Sequence, residues 1–249
     1  MRSRFTRYFP VILLVLVASK CNEPGTLDVD YNYEYFPLKL GQTVIYDVDS
    51  VFLDDFTLPP TFDTTTYQIK ETVESTFIDN EGRISHRIVR YKRYDTTSVW
   101  KDNAVWFATR TNSRVELVED NNRFIKMTFP AKEGKKWLGN VYLDIATEKC
   151  LPDYDNSNWE YEILEIDKRY SINGLDFDST LIVEQINDTT DNLVEMHYSF
   201  ERYAKGVGLI EKEFWHLWTN NLVFKPWLVR AECGFVIKIR INSFILADD

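Results

Sequence analysis

Tyr67-Gln68-Ile69-Lys70-Glu71-Thr72-Val73-Glu74-Ser75-Thr76-Phe77, then Asp79-Asn80-Glu81-Gly82, then Ile84-Ser85-His86-Arg87-Ile88-Val89-Arg90-Tyr91, is the stretch on which the fold is decided. Both arms alternate with period two, and the acidic, Asn- and Gly-containing segment between them has the chemistry of a turn. The passage predicts an antiparallel hairpin. Working outward, Val44, Tyr46 and Val48 alternate with Ile45, Asp47 and Asp49 after the Gly41-Gln42 turn. Short strands then follow at Ala104 to Thr109, Val115 to Val118 and Phe124 to Phe129, spaced as in a meander. Further strands are expected at Tyr161 to Ile166, Thr180 to Ile186, Val194 to Tyr203, Leu209 to Phe214 and Phe235 to Phe244.

No segment after residue 20 carries a capped helical stripe of twelve or more residues, and Pro226 limits any short helix between Trp215 and Arg230. The expected fold is therefore mostly β: an antiparallel meander curled into a barrel, half-barrel or sandwich so that its edges are protected. One internal echo stands out. Phe36-Pro37-Leu38-Lys39-Leu40-Gly41 and Phe129-Pro130-Ala131-Lys132-Glu133-Gly134 share their Phe-Pro start and glycine end. The echo suggests two similar sheet halves or two similar turns.

The N-terminus reads as an address. Arg2, Arg4 and Arg7 precede the apolar run Phe9 to Val17 and the small residues Ala18 and Ser19, the layout of an export signal. The run is far shorter than the roughly 20 residues of a membrane-spanning helix. Val17-Ala18-Ser19-Lys20-Cys21 resembles a bacterial lipobox, with Lys20 in place of the usual small residue, so Cys21 is the expected site of lipidation. Residues 1–20 are then the signal, 21–33 a lipidated tether, and 34–249 a single β-rich domain.

With 29 Lys and Arg against 39 Asp and Glu, loss of the four basic residues of the signal leaves 25 against 39, a balance of −14. Such a field repels phosphate backbones and anionic lipid surfaces, and it disfavours nucleic acid as a partner. Cys150 and Cys233 remain as an even pair that an oxidising compartment can bridge, worth roughly 2 to 4 kcal/mol. Asp-Ser/Thr steps at Ser50, Thr64, Thr96, Ser179 and Thr189 look like O-glycosylation acceptors of exported Bacteroidota proteins.

Several elements carry a family resemblance. Tyr35-Phe36-Pro37-Leu38-Lys39-Leu40-Gly41, Tyr46-Asp47-Val48-Asp49-Ser50, the Phe129-Pro130 to Trp137 element and Tyr203-Ala204-Lys205-Gly206-Val207-Gly208-Leu209-Ile210 resemble uncharacterised lipoproteins of Bacteroidota. The resemblance implies an envelope location and a β-rich fold, and it brings no catalytic residue with it.

Chemistry is sparse. His86, His197 and His216 form no metal-binding signature, although Glu195 and His197 would share a strand face. No nucleophile elbow, zinc-protease helix or phosphate loop occurs, and Gly206-Val207-Gly208 reads as a bend. No catalytic, metal or cofactor site is expected. The acid pairs Asp54-Asp55 and Asp153 with Asp155, and the oxygen-rich Asp153-Tyr154-Asp155-Asn156-Ser157-Asn158, read as solvated turns. Trp215, Trp218 and Trp227 are the candidate aromatic binding patch, the alternative being core.

The expected function is an envelope lipoprotein that binds or supports without catalysis, held to a membrane by its anchor and meeting a glycan, an apolar ligand or an envelope protein. An apolar carrier would need an open interior. The alternative, an envelope glycan hydrolase, would need two carboxylates converging across a groove, one of them raised in pKa by an apolar setting.

Overall fold

The computed structural model describes residues 29–54, 61–143, 159–189, 193–223 and 225–247. The export signal, Cys21, Cys150, Asp55 and the Asp153 to Asn158 cluster lie outside them, as does all but the last part of the tether.

Twelve strands form one sheet. They are β1 Thr43–Asp54, β2 Thr61–Ile78, β3 Ile84–Arg93, β4 Lys101–Arg110, β5 Arg114–Glu119, β6 Asn122–Thr128, β7 Lys136–Leu138, β8 Glu160–Ile172, β9 Leu175–Asp188, β10 Glu195–Ala204, β11 Gly208–Trp218 and β12 Cys233–Ile245. Their order is β6-β5-β4-β3-β2-β1-β12-β11-β10-β9-β8-β7, with each neighbouring pair antiparallel. The two outer strands meet through the Ile125 amide, which donates to the Gly139 carbonyl at 2.7 Å, and the Trp137 indole, which donates to the Ile125 carbonyl at 2.8 Å. The sheet is thus a nearly closed barrel, which removes the exposed edges an open sheet would leave. The one α-helix among the described residues is a single turn, α1 Trp227–Arg230, placed directly after Pro226.

The sequence echo is realised as one turn used twice. Gly41 donates to the Val73 carbonyl and Val73 donates back to Gln42; Gly134 donates to the Ile163 carbonyl and Ile163 donates back to Lys135. Both glycines hold positive φ, +85° and +74°, where a side chain would be strained. Each turn introduces a six-stranded meander, β1 to β6 and β7 to β12, and the meanders join along β1 and β12. The Phe129–Pro130 bond is cis.

Alternation puts Val44, Tyr46, Val48 and Ile69 inside with Ala204, Ile210 and Ile241 of the other meander, and Ile88 and Val115 inside with Ile163, Leu181 and Tyr203. The outside carries ion pairs such as Lys238–Glu213, Arg240–Asp49 and Arg202–Glu211. No helix among the described residues is long and apolar enough to cross a membrane.

The chain enters at one end of the barrel. Tyr31 and Tyr33, read above as the last part of the tether, stack with ring centroids 5.2 Å apart, and Tyr33 packs edge-on to Phe129. Ala131 donates to the Tyr31 carbonyl and Gly206 to that of Glu34. Tyr35 is fully buried, and its hydroxyl donates to Asp167 at 2.9 Å. This is the entry end. The far end carries α1 and the β9–β10 connection.

Candidate functional site

Inside the barrel six ionisable side chains converge, all on inner-face positions of strands that otherwise bury apolar residues. Lys126 sits at a bulge. Val115 pairs with Met127 and Glu116 with Ile125, so Lys126 is the extra residue on β6 and turns inward with Met127. Its Nζ lies 2.8 Å from Glu119 and 2.7 Å from Glu201. Lys212 on β11 adds a second cation to Glu201 at 2.9 Å, and the Tyr203 hydroxyl donates to the other oxygen at 2.5 Å. Glu71 on β2 accepts from Arg90 on β3 at 2.7 Å, and the Arg90 guanidinium stacks 3.5 Å from the Trp106 ring centroid.

Three carboxylates face three cations, and the side chains of Glu201 and Lys126 are only 1% and 5% exposed. Burial alone would raise the carboxyls of Glu119 and Glu201. The attraction of Lys126 and Lys212 outweighs it and holds both below the ordinary carboxylate value. For Glu71 burial wins over Arg90, so its pKa is raised. The cluster lines a cavity of about 100 Å³ whose remaining wall includes Leu38, Val44, Val73 and Leu209. That space is large enough for several waters. It is well below the roughly 300 to 1,000 Å³ of a small-molecule site.

The sequence-predicted residues lie elsewhere. Strand β11 runs unbroken through Trp218, so Phe214 and His216 point inward and Trp215 outward. Trp215 and Trp227 share an outer cluster with Leu53, Leu217 and Val236, capped by α1. Trp218 takes the opposite strand face from Trp215, so β11 does not bring the three tryptophans onto one surface. Cys233 is buried at the head of β12.

His197 and His216 are direct cross-strand partners inside the barrel, with ring centroids 4.6 Å apart. Burial, with the neighbouring His197, lowers the pKa of His216 to about 4. Among the described residues no group of three or more His, Cys, Asp or Glu is arranged to hold a metal ion. Of the glycosylation candidates, Thr64 and Thr96 are exposed. Ser50 is buried and donates to the Thr65 carbonyl, and Ser179 bonds Tyr35 and Asp167. Gly206-Val207-Gly208 forms the β10–β11 turn, with both glycines at positive φ.

The interior cluster carried a weak signal in the sequence. Glu71 and Arg90 occupy the same alternating faces as Ile69 and Ile88, and Glu119 follows Val115 and Leu117 at the same spacing. Lys126 follows Phe124 at that spacing too, and the bulge after it turns Met127 to the same face.

No family model matches the chain, and no curated protein matches it. Three solved structures show limited likeness. An exported protein with a YmcC-like fold from Bacteroides fragilis has a TM-score of 0.40 at 10% identity, covering 84% of this chain and 98% of that one. A lipoprotein from Parabacteroides distasonis has a TM-score of 0.37 at 12% identity, covering 88% and 100%. An outer membrane lipoprotein-sorting protein domain from Vibrio parahaemolyticus has a TM-score of 0.19 at 11% identity, covering 83% and 85%. Likeness at this level carries no argument about function, and the architecture rests on the strand pairing described above.

Proposed function

We propose that this chain is a lipid-anchored module of a bacterial cell envelope that binds or supports without catalysing a reaction. The export signal over residues 1–20 and the lipobox-like step into Cys21 support the address. The balance inside the barrel carries the functional half. Each interior carboxylate has a cationic partner, which leaves none open to a substrate as nucleophile or base. Among the described carboxyls Glu71 alone has a raised pKa, and it is held by Arg90 in a space too small for a sugar. A packed interior is equally unsuited to an apolar cargo. Recognition then falls to the surface.

Cys150 and Cys233 are assigned to one disulfide, in keeping with the oxidising compartment and the burial of Cys233. The test of the anchor is incorporation of labelled fatty acid in the native host. The wild-type chain should carry label and fractionate with membranes, while Cys21→Ala should lose both properties. Equal labelling of the two chains would refute the anchor.

A further inference from the structure

One recess on the described surface has the dimensions of a binding site. It opens at the entry end, has a volume of about 500 Å³, and is lined in part by Tyr33, Glu34, Lys39, Arg110 and Lys205. Three cations and one acid line it, in a chain whose formal net charge is −10. Arg110 is held over the cleft by a 3.4 Å bond to the Phe36 carbonyl and by the Tyr33 ring, 5.4 Å from its guanidinium. A guanidinium carries five donors, so these contacts leave capacity for an anion. Lys205 pairs with Asp167 at 2.9 Å on the same rim. Tyr31, 42% exposed, stacks on the lining residue Tyr33, and Leu40, 53% exposed, follows the lining residue Lys39 in the chain.

We infer that this cleft seats the phosphate of an anionic phospholipid headgroup in the membrane to which Cys21 would tie the chain. The inference rests on the anchor proposed above. Nine residues lie between Cys21 and Tyr31, where the chain is fixed to the barrel, and these ten Cα steps keep the entry end within about 36 Å of the lipid. That end is therefore the one the tether holds nearest the bilayer. Tyrosine with a neighbouring exposed leucine is the side-chain chemistry of the membrane interface, and cations beside it suit anionic headgroups. The acidic balance of the whole chain opposes this approach only weakly, because charges beyond roughly 8 Å are screened at physiological ionic strength.

The test uses the unacylated chain, residues 21–249 with Cys21→Ala, which contains all of the described fold. Sedimentation with phosphatidylcholine vesicles, with and without phosphatidylglycerol, reads binding directly. Binding should require phosphatidylglycerol and weaken as salt rises. Lys39→Gln and Arg110→Gln should each weaken it by about fivefold, with unchanged melting temperatures. Lys225→Gln, an exposed cation at the far end, should leave it unchanged.

Wild-type binding by the Lys39 and Arg110 variants would overturn the proposal. So would equal weakening by Lys225→Gln, or equal binding to phosphatidylcholine alone. Soluble glycerol phosphate binding as tightly as the vesicles would overturn it in favour of a free phosphate ligand. Fatty-acid labelling at Cys21 reads the anchor separately, so failure of either idea is recognised on its own.

Discussion

Lys126→Met removes the cation that bridges Glu119 and Glu201 and keeps a side chain of similar length. Glu201 retains Lys212 at 2.9 Å and the Tyr203 hydroxyl at 2.5 Å. Glu119 loses its 2.8 Å ion pair and keeps only the longer-range attraction of Lys212. Removing one partner of a buried ion pair typically destabilises by 3 to 5 kcal/mol, and the retained partners of Glu201 argue for the lower end, about 3 kcal/mol. For a domain of this size that corresponds to a fall in melting temperature of about 6 to 12 °C.

The loss should depend on pH. In the wild-type chain both carboxyls are held below their unfolded value, near 4.3. Their stabilisation is therefore present above that pH and is lost as pH falls through the depressed folded values. In the variant burial is no longer outweighed by Lys126, the carboxyls rise, and protonation relieves them. Urea unfolding followed by tryptophan fluorescence should give a deficit of about 3 kcal/mol at pH 7 that shrinks by pH 5. A deficit below about 1 kcal/mol, or one that does not change with pH, would show that water screens these charges and that the cluster is not a buried network.

Other perturbations read neighbouring parts of the fold. Glu71→Gln keeps an acceptor for Arg90 and removes a carboxyl whose pKa burial raises. Stability tied to that raised value is present below the unfolded pKa and is lost as pH rises through the folded one. The substitution should change stability by less than about 1 kcal/mol at pH 7 and flatten the profile above pH 4.5. His216 is held neutral with a pKa near 4, so its stabilisation is present above the unfolded value near 6.5 and declines as pH falls toward 4. His216→Phe should remove that part of the acid sensitivity, read by unfolding across the window. Gly234 sits at φ +117°, and a Cβ there would lie 2.1 Å from the His216 carbonyl oxygen. Gly234→Ala should therefore destabilise by about 3 kcal/mol or more in chemical unfolding.

The hairpin of β2 and β3 was legible because both arms alternate cleanly and a turn-forming segment joins them, and the β4 to β6 meander was legible for the same reason. The Phe-Pro echo correctly marked two equivalent turns. Alternation alone does not say which face is inner. Asp47 and Tyr46, or Glu71 and Lys70, are told apart only once the strands close, and that closure depends on pairing β1 with β12, far apart in sequence. The tryptophans were ambiguous for a related reason. Trp215 and Trp218 are three apart, and only an unbroken β11 sends them to opposite faces. Strand β7 was missed because three residues cannot show a period.

The placement of the buried charges bears on how two similar meanders find one register. Glu71, Arg90, Glu119 and Lys126 come from the first meander, Glu201 and Lys212 from the second, and the Lys126–Glu201 pair joins them across the interior. A one-residue slip along the β1–β12 seam would turn the inner side chains of one meander outward. Glu201 would then be separated from Lys126 while each remained beside apolar neighbours. A wholly apolar interior would penalise that slip less, since many of its contacts could re-form with other partners. The ion cluster makes the correct register the one in which every inner charge is matched, a specificity role that buried polar groups are known to take in other folds. The same matching leaves the interior carboxylates and cations already paired with one another.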